Sequence, residues 1–294
     1  IGLGIMGGSF ARNLVKSGWR VVGYDISPAR RKELSQAGVK IADGIPELAA
    51  AVPVIITSLP KPEALAAVAH AIADAKLPKK IIAECSTFTI EDKEGAEAVL
   101  RKSGHTLLDC PVSGTGSQAR TGDLVIYASG DTKAIARLKP MFAGYSRKTY
   151  DVGTFGNGSK MKYVANLLVA INNVATAEAM VLGMKAGLDP QVIFEMIQNG
   201  AGNSRVFELR APMMVKNDYS SDVTMKCSIW QKDMDVIGGY AKKLRVSTPL
   251  FSATRPVYHA AIKAGHGEED TAAVCAVLEA KARLKRKSKA KRRL

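Results

Sequence analysis

The sequence is poor in the residues that build metal and redox centres. It has four cysteines and four histidines in 294 residues, and none of Cys85, Cys110, Cys227 and Cys275 forms a C-x-x-C pair or stands at metal-ligand spacing from a histidine. Zinc-ribbon and thioredoxin-type sites are therefore excluded, and no metal is expected. The four thiols read as buried or half-buried side chains of a protein in a reducing compartment, the cytoplasm. No run of about 18 purely apolar residues occurs, so no membrane-spanning helix and no membrane partner are expected. The start lacks the charged, apolar and small-residue succession of a secretory signal. H-E-x-x-H, G-x-S-x-G and Walker A sequences are missing too, which argues against those hydrolase and NTPase classes. No internal repeat is visible.

What is present is an ordinary globular composition, 47% hydrophobic, long enough for one to three domains with sizeable cores. The net charge of +15 is uneven. Lys281 to Leu294 hold nine basic residues and no acid; without them, 33 basic residues face 27 acidic ones. The body of the protein is mildly basic, which suits anionic ligands. Residues 281–294 read as a basic, disordered tail, the one segment through which nucleic acid is a conceivable partner.

The first half alternates short apolar runs with helical stretches. Trp19 to Asp25, Val52 to Leu59, Lys80 to Cys85, His105 to Cys110 and Leu124 to Ala128 read as strands, with helices between them, the pattern of βαβ units and a mostly parallel sheet. Ile1 stands where a methionine would, and Ile1-Gly2-Leu3-Gly4 reads as the end of a strand, so a few residues of a first strand are expected to be missing. Near Gly153 the pattern changes. Ser159 to Ala186 is one long helical stretch, stopped by Gly187-Leu188-Asp189-Pro190. Further helices are expected over about 190–199, 205–215, 223–244, 249–264 and 268–287. The expected architecture is a Rossmann-type α/β domain over 1–153, joined by a long helix to an all-α domain over 154–280.

Gly2-Leu3-Gly4-Ile5-Met6-Gly7 is G-x-G-x-x-G, with a strand end before it, a helical pattern after it, and Asp25 at the end of the next strand, 23 residues past the first glycine. Such a loop turns tightly at Gly2, admits a pyrophosphate at Gly4, packs helix on strand at Gly7 and aims a helix N-terminus at the phosphates. Asp25 is placed to bind ribose hydroxyls and to repel a 2′-phosphate, which favours NAD over NADP, although Arg30 and Arg31 nearby soften that preference. Asp109 to Gly116 is a turn-rich loop whose amides suit a carboxylate. Lys162 and Asn166, four apart, share a helix face that continues, mostly apolar, past Val169 to Asn173. Burial there would lower a lysine's pKa toward neutrality and make it a usable acid/base; a snorkelling lysine is the plain alternative.

Four motifs, in order, resemble the β-hydroxyacid dehydrogenase family, which includes the 3-hydroxyisobutyrate, tartronate semialdehyde and threonate enzymes. They are the glycine loop at 2–7, Asp109-x-Pro111-Val112-Ser113-Gly114, Gly156-x-Gly158-x-x-x-Lys162 with Asn166, and Lys232-Asp233-Met234. The resemblance implies an NAD(P)-dependent oxidoreductase of small hydroxy acids and a homo-oligomer, dimer or tetramer. It implies Lys162 as general acid/base and Asn166 beside the substrate. Ser113 and Gly114 would take the substrate carboxylate, and Lys232 would line the cofactor–substrate cleft. Leu59 and Pro60 would pass over the cofactor, with Ser86 and Thr87 on its nicotinamide side. Thr115 replaces a second glycine and Ala165 an asparagine, departures that bear on substrate more than on chemistry. The segments 109–131 and 200–212 look most like the threonate branch. A non-catalytic member of the fold that binds nucleic acid through its tail is the alternative reading.

Overall fold

The computed structural model describes residues 1–286. It divides into two compact units, Ile1–Ala165 and the chain from Asn166 onward. The first is α/β. Its elements are α1 (Ile5–Lys16), β1 (Val22–Gly23), α2 (Pro28–Ser35), β2 (Lys40–Ile41), α3 (Ile45–Ala51), β3 (Val54–Thr57), α4 (Pro62–Asp74) and β4 (Ile81–Glu84). They continue with α5 (Ile90–Lys102), β5 (Thr106–Asp109), β6 (Val112–Ser113), α6 (Gly116–Thr121), β7 (Val125–Ala128), α7 (Thr132–Ala143), β8 (Lys148–Asp151) and the start of α8 (Asn157–Lys185).

The strands form three ladders: β1–β2, β3–β4–β5 and β6–β7–β8. All pairs are parallel except β6–β7. Ile1–Leu3 runs between the first two ladders, with Gly2 N donating to Tyr24 O and Ser58 N to Ile1 O. Successive residues of the central strands face opposite cores, as the pleat requires. Ala83 and Leu108 pack with Phe10, Ile126, Leu138 and Phe142. Ile82 and Leu107 pack with Leu48, Leu65, Phe88 and Leu100 on the other side. A sheet covered by helices on both faces explains the unbroken apolar runs. The carboxyl ends of β3, β4 and β5 consequently open toward the loops that follow them, where ligands bind in such sheets.

Two strand expectations need correction. Of Trp19–Asp25 only Val22 and Gly23 form a regular strand, against the equally short β2, with Val21 O and Tyr24 O accepting Lys40 N and Gly2 N at its ends; Trp19 is exposed. The loop from Asp109 contains the short antiparallel strand β6, which no apolar run announces.

The second unit is helical: the remainder of α8, α9 (Pro190–Ile197), α10 (Arg205–Lys216), α11 (Cys227–Lys243), α12 (Pro249–Ala261) and α13 (Val274–Lys281). The helix expected from 223 begins only at Cys227. Residues 224–226 are instead drawn to the buried carboxylate of Asp270, which accepts from Thr224 N, Thr224 Oγ1 and Met225 N and binds Arg210. The segment 249–264 ends in a π turn (Ile262–His266), and 268–287 resolves into a 3-10 turn (Thr271–Ala273) and α13.

By length and composition α8 is long and apolar enough to cross a membrane. Polar residues interrupt its apolar run. Those residues serve the interior of the unit: buried Asn173 donates to Tyr258 Oη and to Thr271 O, both at 2.9 Å. The basic tail also starts bound. Arg286 pairs with Glu279 at 2.5 Å and donates to Val215 O, while Lys185 Nζ donates to Ala282 O. The rest of that tail, 287–294, lies outside the described residues.

All four cysteines are free and buried. Burial pushes the thiols of Cys85, Cys227 and Cys275 up to about 12 and that of Cys110 well above its ordinary value. A thiolate is the reactive form. The native protein at pH 8 should therefore give almost no signal with an aromatic disulfide reagent, and four thiols after unfolding in guanidinium; prompt labelling in the native state would contradict this burial.

Candidate functional site

The glycine loop is fixed by three different constraints. Gly2 has φ +84°, and a Cβ there would lie 2.2 Å from Ser58 O. A Cβ at Gly7 would lie 2.0 Å from Gly2 O, so the first turn of α1 closes directly on the loop backbone. A Cβ at Gly4 would meet nothing within 4 Å. Gly4 is also the N-cap of α1 and offers no side chain to the first-turn amides. Leu3, Ile5 and Met6 fill the loop between these glycines. Open space in front of uncapped N–H groups at the positive end of a helix fits a dinucleotide pyrophosphate.

Asp25 closes the cradle. Its Oδ2 accepts Leu3 N at 2.7 Å and its Oδ1 accepts Ser27 N at 2.8 Å, so the carboxylate is held beside the glycine loop with lone pairs remaining for ribose hydroxyls. The nearby arginines are otherwise engaged. Arg30 pairs with Glu33, and Arg31 donates to Asp25 O and lies over the Tyr24 ring. Neither arginine offsets the charge of Asp25 through a contact with its carboxylate.

Leu59 and Pro60 follow β3, and Leu59 lies against Gly2. Leu59 N donates to Ser86 Oγ at 2.8 Å, tying this loop to the Ser86–Thr87 step after β4. Ser113 lies in β6, and Gly114, at φ +138°, would place a Cβ 2.4 Å from Leu124. Only glycine fits there, which fixes the direction of the loop amides. Thr115, which stands where a second glycine was expected, donates its amide to Gln118 Oε1 and contacts Ser117 Oγ.

Lys162 is 9% exposed. It sits in the second turn of α8, and the start of that helix is held from the sheet. Asp109, at the end of β5, accepts Ser159 N at 2.7 Å through Oδ2 and Ser159 Oγ at 2.9 Å through Oδ1. Gly158 comes so close that a Cβ would lie 2.4 Å from Tyr127 O, and its amide donates to Ser129 Oγ. Tyr163 Oη donates to Phe88 O.

In the second unit Asn166 and Lys232 are brought together by a residue to which the sequence had given no role. Asp233 accepts Asn166 Nδ2 at 2.9 Å and lies 3.0 Å from Lys232 Nζ. It stood in plain view inside the Lys-Asp-Met motif. The buried Lys93, which contacts Glu84 and Asp109 in the first unit, was missed as well; its sequence context, Glu91-Asp92-Lys93-Glu94, reads as solvated helix. Among the described residues no group of His, Cys, Asp and Glu side chains is placed to hold a metal ion.

Residues 1–153 match the NAD binding domain of 6-phosphogluconate dehydrogenase, and residues 156–278 match the NAD-binding domain of NADP-dependent 3-hydroxyisobutyrate dehydrogenase. An L-threonate dehydrogenase of Cupriavidus necator is 32% identical over 278 residues, 93% of each chain. A 3-hydroxyisobutyrate dehydrogenase of Pseudomonas aeruginosa is also 32% identical, over 90% of this chain and 93% of its own. The solved 3-hydroxyisobutyrate dehydrogenase of Salmonella typhimurium superimposes with a TM-score of 0.84 at 31% identity, covering 94% of this chain and 97% of that one.

The three glycines separate fold from binding. Gly4→Ala should leave thermal unfolding unchanged and weaken NADH binding by about tenfold or more, since its methyl enters the space for the pyrophosphate. Gly7→Ala, which forces α1 off the loop, should lower the melting temperature as well. NADH fluorescence titration and a thermal melt on both variants check the contrast; equal effects on both would show the cradle to be misplaced.

Proposed function

The chain belongs to the NAD(P)-dependent hydroxyacid dehydrogenases of the 3-hydroxyisobutyrate dehydrogenase family, and on that premise we propose that it oxidises a small hydroxy acid with NAD, using Lys162 as acid/base. The observation that carries the reading is Lys162 itself, a buried lysine on a helix whose first turn is pinned to the strand end carrying the Asp109–Gly114 loop. Burial of a lysine is uncommon, and this one stands four residues before Asn166 on the same helix.

The residues divide the work. Gly2 to Gly7 and Asp25 hold the dinucleotide, and the carboxylate of Asp25 favours NAD because a 2′-phosphate would meet its charge. Leu59, Pro60 and Thr87 flank the cofactor. Ser113 and the Gly114 amide bind the substrate carboxylate. When bound, the nicotinamide supplies the hydride acceptor. Lys162 Nζ takes the hydroxyl proton during oxidation and returns it during reduction, so no covalent intermediate with the protein is needed. Asn166, one turn further along α8, holds the hydroxyl side of the substrate, its amide oriented by Asp233. Lys232 is held by the same carboxylate, and the family resemblance assigns it to cofactor and substrate.

Two features refine the reading. The L-threonate dehydrogenases among the relatives, together with the 200–212 segment, favour a four-carbon polyhydroxy acid as substrate. The family resemblance favours a homo-oligomer, and the second unit exposes large apolar side chains, among them Leu168, Leu182 and Met196, that a subunit contact would cover. The four free thiols suit a reducing compartment, and we place the enzyme in the cytoplasm on that ground.

Reduction of NAD and of NADP, followed by absorbance against four-carbon aldonates, 3-hydroxyisobutyrate, glycerate and serine, tests the assignment. Turnover should be faster with NAD, and Lys162→Ala should lower kcat by about 10²–10⁴-fold while NADH binds as before. Near-normal turnover in that variant would remove Lys162 from the mechanism. Silence of the parent with every acid and both cofactors would remove the substrate class.

A further inference from the structure

At the carboxyl ends of the central strands, Thr57, Glu84 and Asp109 stand in register across β3, β4 and β5, and all three are fully buried. Lys93, from the start of α5, enters this row. Its Nζ lies 2.6 Å from Glu84 Oε2 and 2.7 Å from Asp109 Oδ1, and donates to Ser86 O at 2.8 Å. Two of its three N–H groups are donated, to Asp109 Oδ1 and Ser86 O, and Glu84 Oε2, which accepts no hydrogen bond, faces the ammonium as an ion pair. Burial alone would push the lysine down; the two carboxylates prevail and hold it well above its ordinary value, so it stays charged.

Such a cluster is a poor way to stabilise a core. Removing three charged groups from water costs several kcal/mol per ion, and apolar residues of similar volume often do as well or better. What the cluster achieves is connection. Glu84 Oε1 accepts Ser86 N at 2.8 Å, so with Lys93 on Ser86 O both backbone groups of Ser86 are bound by the cluster. Ser86 Oγ then accepts Leu59 N. On the other side, Asp109 spends its remaining lone pairs on Ser159 and Ser129. The amino end of α8 contributes the positive end of its dipole, which offsets the one negative charge that two carboxylates and one ammonium leave over. One buried lysine thereby links the Leu59–Pro60 loop, the Ser86–Thr87 step, the base of the Ser113–Gly114 loop and the helix turn preceding Lys162.

We propose that Lys93 is a positioning residue for hydride transfer: acting through Glu84, Ser86 and Asp109, it fixes the Ser86–Thr87 step and the first turn of α8 relative to each other. This rests on the assignment of Lys162 as the acid/base. Lys93 touches neither substrate nor cofactor in this scheme, and its effect is on the distance and angle at which groups meet.

Removing Lys93 alone would leave two carboxylates buried against each other, so the test uses the charge-balanced variant Glu84→Gln/Lys93→Met. It retains an acceptor for Ser86 N and leaves the Asp109–Ser159 pair intact. The variant should melt cooperatively and bind NADH as the parent does, yet show kcat lower by about tenfold to a hundredfold, the scale of a small misplacement of reacting groups. Hydrogen–deuterium exchange should rise by at least about tenfold in peptides covering 84–92 and 156–163, on the view that their opening is local, while a peptide of α4 stays as protected as before. A folded variant with parental kcat overturns the proposal whatever the exchange rates. If the parent turns over none of the acids, the dehydrogenase assignment fails on that result alone, and exchange then decides for Lys93: unchanged protection in both peptides overturns it.

Discussion

The contact between Asp109 and Ser159 is the constraint on which the first unit's site depends. A carboxylate at the end of a strand accepts the backbone amide and the hydroxyl of one residue in the opening turn of a helix that begins 48 residues later. It acts as a helix cap supplied from far away in sequence, and it complements the helix dipole at the same time. Because β5 runs on into the Ser113–Gly114 loop and α8 runs on to Lys162, one hydrogen-bonded carboxylate sets the geometry between the group proposed to bind substrate and the group proposed to move its proton.

The dinucleotide cradle is held differently, by contact rather than by charge. Gly2 and Gly7 are required because backbone atoms occupy the space where side chains would stand, whereas Gly4 is required by nothing in the protein. A position where a side chain would fit and none is present points outward, to something that approaches from solvent. Asp25 shows the same economy: its two oxygens hold the loop through Leu3 N and Ser27 N, so the residue that would read the ribose also shapes the pocket in which it does so.

Local features were legible in the sequence. The glycine loop, the strand-end acid, the long helix with Lys162 and Asn166 on one face, and the order of α/β followed by all-α could be read because each is specified by residues close together in the chain. The features that escaped are those created by tertiary pairing. Val22–Gly23 is short because its partner is short. Lys93 sits among acids in an amphipathic helix and is indistinguishable, by spacing, from a solvated lysine; only the strand ends Glu84 and Asp109 make it a core residue. Asp233 was visible as part of a motif, but its hold on Asn166 spans 67 residues. The polar character of two strand ends, Ile-Ile-Ala-Glu and Thr-Leu-Leu-Asp, was the available hint, since an acid that closes an apolar strand must be paired or must face water.

The reach of α8 has a bearing on how such a protein can be divided or assembled. The two family domains meet between residues 153 and 156, where a gene fusion or a domain exchange would naturally be placed. A fragment ending there would bury Lys93, Glu84 and Asp109 but lose Ser159, and with it two of the hydrogen bonds that hold the Asp109 carboxylate. At the border its sequence suggests, the α/β module leaves the Asp109 carboxylate without its Ser159 partner. It inherits its last structural partner from the first turn of the helix that opens the next module, so shuffling of this architecture would preserve function only where the exchanged piece brought a compatible helix start with it.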